Sequence, residues 1–80
     1  MNEGPGLEET IKDIEITKSE AEAYRKLESG FYTLASLPDA SQEDMRIFSF
    51  NAQRYGDSAN RCERFLEGLI EYKKELEGLK

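Results

Sequence analysis

The sequence predicts an all-α protein folded as an up-and-down three-helix bundle. The alternative is a two-helix antiparallel hairpin that dimerises into a four-helix bundle. Three observations lead there. Apolar residues recur three and four apart over most of the chain, the spacing of one helix face. The chain holds only two prolines and six glycines, and the glycines sit mostly at the ends of periodic segments. Charged residues reach 35% against 38% hydrophobic, which is globular and leaves much of the surface as a solvated ionic face. Eighty residues make a single domain with a modest core, a size at which oligomerisation is a common source of stability.

Met1 to Gly6 has two glycines and a proline and reads as a flexible start. The first helix is expected over 7–36. Its stripe is Leu7, Ile11, Ile14, Ala21, Tyr24, Leu27, Phe31 and Leu34, with Thr17 filling the one gap. Glu8 with Lys12 and Glu22 with Lys26 have the favourable i,i+4 order. Gly30 falls inside this helix, where it would let a neighbouring helix approach closely.

Residues 37–41, LPDAS, end that pattern. Pro38 disfavours a helical Leu37. Ser41 with Asp44 has capping-box spacing, and Asp39 is a second candidate cap. A second helix is expected over 42–55 and a third over 58–79. The break between them rests on Gly56-Asp57, since glycine suits the residue after a helix C-terminus and Asp57 or Ser58 suits an N-cap. The apolar stripe also shifts sideways and widens after Gly56, into a second row at 62, 65, 69, 72, 76 and 79 whose one polar atom is the Tyr72 hydroxyl. Against the break, one heptad row runs unbroken through 45, 48, 52, 55, 59, 62, 66, 69, 73 and 76, with Lys73 its only charged member.

The net charge of −6 argues against nucleic acid and anionic membranes, which a binder must neutralise with Lys and Arg. No histidine is present, so the commonest general base and metal ligand are missing. The single Cys62 cannot close an internal disulfide, has no His partner, and falls in the apolar row as a small hydrophobe. No signal segment or membrane span is visible, so a cytoplasmic setting is expected. No enzyme motif and no cofactor-binding motif stands out. Carboxylates at Glu9 and Asp13, and at Asp39, Glu43 and Asp44, leave a hard-cation site or a carboxylate enzyme as the alternative function; in the simpler reading, acids such as Glu8, Glu9, Glu43 and Asp44 favour helix N-termini.

The stronger lead is interaction. Ile47 and Phe50 lie off the main stripe of the second helix, as do Ile16 and Ile70 elsewhere. Leftover apolar surface of this kind marks a protein partner or a second copy. Arg54, Arg61 and Arg64 share a side of the helical surface and give a second alternative, RNA or nucleotide binding. Asp57 four before Arg61 and Glu67 three after Arg64 offer local ion pairing that would account for most of that stripe. The expected function is thus a small, self-associating protein-interaction module, with Ile47, Phe50, Arg54, Arg61 and Arg64 as partner-binding candidates.

Met45, Phe48, Asn51-Ala52, Tyr55 and Gly56-Asp57, followed by Phe65, Gly68, Leu69, Ile70 and Glu71, resemble a family of small archaeal helical-bundle domains of unknown function. The resemblance spans residues 24 to 71. Met45 stands where that family has a small residue, and Asn51 and Glu71 where it tends to carry Asp. The resemblance implies an up-and-down three-helix bundle and no particular activity.

Overall fold

A computed structural model shows a two-helix antiparallel hairpin. It describes Gly4 and residues 6–79; Met1–Glu3, Pro5 and Lys80, most of the expected flexible start among them, lie outside the described residues. Helix α1 spans Leu7–Ala35 and helix α2 spans Gln42–Gly78. The molecule is a rod of 59 × 15 × 15 Å. That length is one helix long: the 37 residues of α2 rise about 56 Å at 1.5 Å each.

The three-helix bundle is therefore corrected to a hairpin. The expected helices 42–55 and 58–79 are one helix, which runs through Gly56-Asp57 without a turn. Gly56 is buried inside α2 and does not take a positive φ. The unbroken heptad row prevailed over the local cap chemistry because it packs one continuous seam against α1. Ala52 and Ala59 are fully buried in it, and Phe48, Tyr55, Cys62, Leu66, Leu69, Lys73 and Leu76 are half-buried.

On α1 the buried seam is Leu7, Thr10, Ile14, Thr17, Ala21, Tyr24, Glu28, Phe31 and Ala35, a strict alternation of three and four. The stripe read from apolar residues alone included Ile11, Leu27 and Leu34, which are exposed on the flanks. Thr10 takes a seam place instead: it is fully buried, and its hydroxyl donates to the Gly6 carbonyl at 2.8 Å, so the polar atom is satisfied within its own helix. Gly30 is exposed with nothing near it, so it serves no close helix approach.

An aromatic ladder fixes the register. Phe31 stacks on Tyr55 with centroids 5.6 Å apart, Tyr24 lies 6.1 Å from Tyr55, and Phe31 lies 6.2 Å from Phe48. Tyr24 thus lies beside Tyr55 and Phe31 between Tyr55 and Phe48, so each step up α1 is a step down α2.

Residues 36–41 make the connection. The Ser36 amide and hydroxyl both return to the Tyr32 carbonyl and close α1. The Ala40 amide donates to the Leu37 carbonyl at 3.1 Å across Pro38 and Asp39, a turn with proline at its favoured second position. Ser41 is the N-cap of α2, its hydroxyl accepting from the Asp44 amide at 3.0 Å, and Glu43 and Asp44 sit in the positive first turn. At the other end of the rod Gly4, with φ +123°, lies so close to Tyr72 that a Cβ there would come within 3.2 Å of its hydroxyl.

Candidate interaction surface

A two-helix hairpin has two flanks beside its seam, and here they differ in chemistry. One flank carries Ile11, Lys18, Arg25 and Tyr32 of α1 with Gly56, Glu63 and Ile70 of α2. Arg25 locks this side. Its guanidinium donates through Nε and Nη2 to both oxygens of Glu63, at 3.0 and 2.8 Å, a bidentate fork between the helices. Its Nη1 donates to Glu28 at 2.9 Å, and its Nη2 also donates to Asn60 Oδ1 at 2.7 Å. These hydrogen bonds hold the Glu63 carboxyl below its ordinary range and raise the Arg25 guanidinium further above its own. Glu28, anchored by Arg25, lies across Gly56, where any β-carbon would fall 2.6 Å from its Oε2. This flank has met most of its own polar needs.

The other flank carries Asp13, Glu20, Leu27 and Leu34 of α1 with Asn51, Ser58 and Phe65 of α2. Beyond them on the same side lie Glu9 and Ile16 of α1 and Ile47, Arg54 and Arg61 of α2, by the rotation of about 100° per residue. Large apolar side chains are open here: Phe65 is 62% exposed, Ile16 58% and Ile47 50%, with Leu27 and Leu34 also exposed. Among the described residues, no ion pair involves Glu9, Asp13, Glu20, Arg54 or Arg61.

The five residues singled out from sequence are all exposed on α2. Ile47, Arg54 and Arg61 fall in one row seven apart. Phe50 is joined to that row by Arg54, whose guanidinium carbon stands 5.9 Å from the ring centroid. Arg64 lies elsewhere, bordering a polar hollow with Asn60, Glu63 and Glu67. The expected local pairing of Arg61 with Asp57 and of Arg64 with Glu67 does not close; Arg61 instead reaches the Ser58 hydroxyl at 3.4 Å. Sequence reasoning missed Leu27, Leu34 and Phe65 as surface residues because it assigned them to apolar stripes. The α1 heptad frame through Thr10 and Thr17 is the signal that places Leu27 and Leu34 on a flank.

Cys62 is half-buried in the seam. Among the described residues, no group of three or more metal-type side chains is gathered at one place, and no helix is long and apolar enough to cross a membrane. No family model matches the chain, and no curated protein or solved structure matches it either.

Proposed function

We propose that the protein is a small interaction module that works as a self-associating helical hairpin. The observation carrying this reading is the mismatch between apolar content and burial. Among the described residues the fully or nearly fully buried apolar core is Ala21, Ala52 and Ala59, while Ile16, Ile47, Phe50 and Phe65 stand at least half exposed. The chain presents 6215 Å² of surface, whereas a compact monomer of 9.2 kDa presents about 4,900 Å². Two hairpins closing into one compact body would remove about 4,000 Å² in total, the scale of obligate homodimer interfaces.

The acidic net charge and the exposed apolar residues favour a protein surface over nucleic acid as the partner. Concentration-dependent thermal unfolding tests the reading. A dimer coupled to folding melts higher as protein concentration rises. A melting temperature that stays constant over a hundredfold range of concentration contradicts it.

A further inference from the structure

We propose that the partner is a second copy seated on the flank bearing Leu27, Leu34, Ile47 and Phe65, with the two hairpin loops at the same end of a four-helix bundle. This deepens the self-association reading and rests on it.

The choice of flank follows from the contrast between the two sides. The Arg25–Glu63 flank is closed by an interhelical fork and a carboxylate laid over Gly56. The opposite flank holds the most exposed apolar side chains beside the seam, together with acids on α1 and arginines on α2 that no ion pair satisfies among the described residues.

The orientation follows from symmetry and charge. Two identical hairpins joined face to face by a two-fold axis have two choices. If the axis is perpendicular to the helices, α1 lies on the partner's α1 and the loops point to opposite ends. With that axis at mid-rod, Glu20 meets its own copy and Arg61 meets its own, like charge against like. If the axis runs along the helices, each α1 lies on the partner's α2, and the acid-bearing helix faces the arginine-bearing one.

The hairpin's own register then sets the pairs. Tyr24 lies beside Tyr55, and Phe31 between Tyr55 and Phe48. Two copies related along the rod keep those heights, so Glu20 falls within one turn of a partner arginine at position 61. At the same offset Leu34 meets position 47, isoleucine in the partner, and Ile16 meets position 65, phenylalanine. Two apolar pairs and one acid–base pair thus match across the seam, while Leu27 falls opposite position 54, where the arginine stem can cover it. A perpendicular axis shifted toward the loop also sets Leu34 on position 16 and Ile47 on position 65, but it leaves Glu20 opposite position 30 and Arg61 opposite position 51, both uncharged, so only the axis along the rod joins acid to base.

The experiment uses full-length chain carrying Cys62→Ser and Asp39→Cys, spin-labelled at the loop. Pulsed dipolar spectroscopy reads the label separation, and sedimentation reads the mass. The expected result is a dimer with labels far closer than the 59 Å rod length. In the same background, Glu20→Arg and Arg61→Glu are each expected to weaken the dimer at least tenfold, and the double reversal is expected to restore it. A monomer overturns the self-association reading and this one with it. A dimer with labels separated by about one rod length overturns the orientation alone. A dimer indifferent to both charge reversals overturns the choice of flank.

Discussion

The Glu28 carboxylate covers Gly56: a β-carbon at that position would lie 2.6 Å from Glu28 Oε2 and 3.2 Å from its Cδ. A mid-helix glycine is disfavoured by about 1 kcal/mol relative to alanine, yet here it sits buried in the middle of the longest element of the fold. The obstacle to a methyl group is the tip of a flexible side chain, half-buried and held by Arg25. Gly56→Ala is therefore predicted to stabilise, by about 0.5 kcal/mol, less than the full propensity difference because Glu28 must swing away. The Gly56→Ala, Glu28→Ala double variant is predicted to gain more than the sum of the single changes in chemical denaturation. Loss of stability in Gly56→Ala would mean the carboxylate cannot move.

Ala52 and Ala59 are fully buried in the seam between the helices. Replacing either by Leu forces extra methyl groups into a filled seam and is predicted to destabilise by about 1–3 kcal/mol. Equilibrium denaturation measures it, and a neutral result at both positions would show that the seam is loose.

Phe31 links two rings of α2, stacking on Tyr55 and meeting Phe48 at an angle. Phe31→Ala is predicted to remove about 2–3 kcal/mol, below the 3–5 kcal/mol of a fully buried phenylalanine because the ring is half exposed. Phe50→Ala, in an exposed ring with Arg54 over it, is predicted to change the stability of the isolated hairpin by less than about 0.5 kcal/mol.

Much of this fold was readable before the structure. The two long helical patterns, the LPDAS break and the Ser41 cap were all legible, because they rest on local spacing and capping chemistry that tertiary contacts reinforce. Gly56-Asp57 was misread for a physical reason. Glycine before aspartate has the local grammar of a helix end, whereas here the glycine lies under a carboxylate arriving from residue 28 of the other helix, which no local rule encodes. The heptad row from 45 to 76 held the correct answer, since a break would have cost the seam its continuity. Thr10 was missed because a buried threonine counts as polar until its hydroxyl is seen bonded to Gly6. The exposed positions were half legible: Ile47 was found by being off-stripe, and Arg54 and Arg61 by sharing a side of the helix, while Leu27 and Leu34 were hidden within a stripe drawn too wide.

The pH dependence of stability has a defined sign. Arg25 holds the Glu63 carboxyl below its unfolded value, so the folded state favours the ionised form. That contribution is fully present above the ordinary carboxylate range and is lost as pH falls through the lowered folded value. Stability is predicted to drop on acidification below about pH 4.5. Glu63→Gln is predicted to flatten that slope, and salt to shrink it, because the pair is solvent-accessible. Arg25 stays charged throughout this range and adds no slope of its own. Identical acid titrations of stability for Glu63→Gln and the unchanged protein would remove the fork from the account.

Self-association is the claim on which the functional reading stands, and sedimentation equilibrium tests it most directly. The account predicts a species of twice 9.2 kDa that shifts toward single chains on dilution or when Leu34 and Ile47 are both replaced by aspartate. A mass of 9.2 kDa at every concentration up to the millimolar range would contradict it.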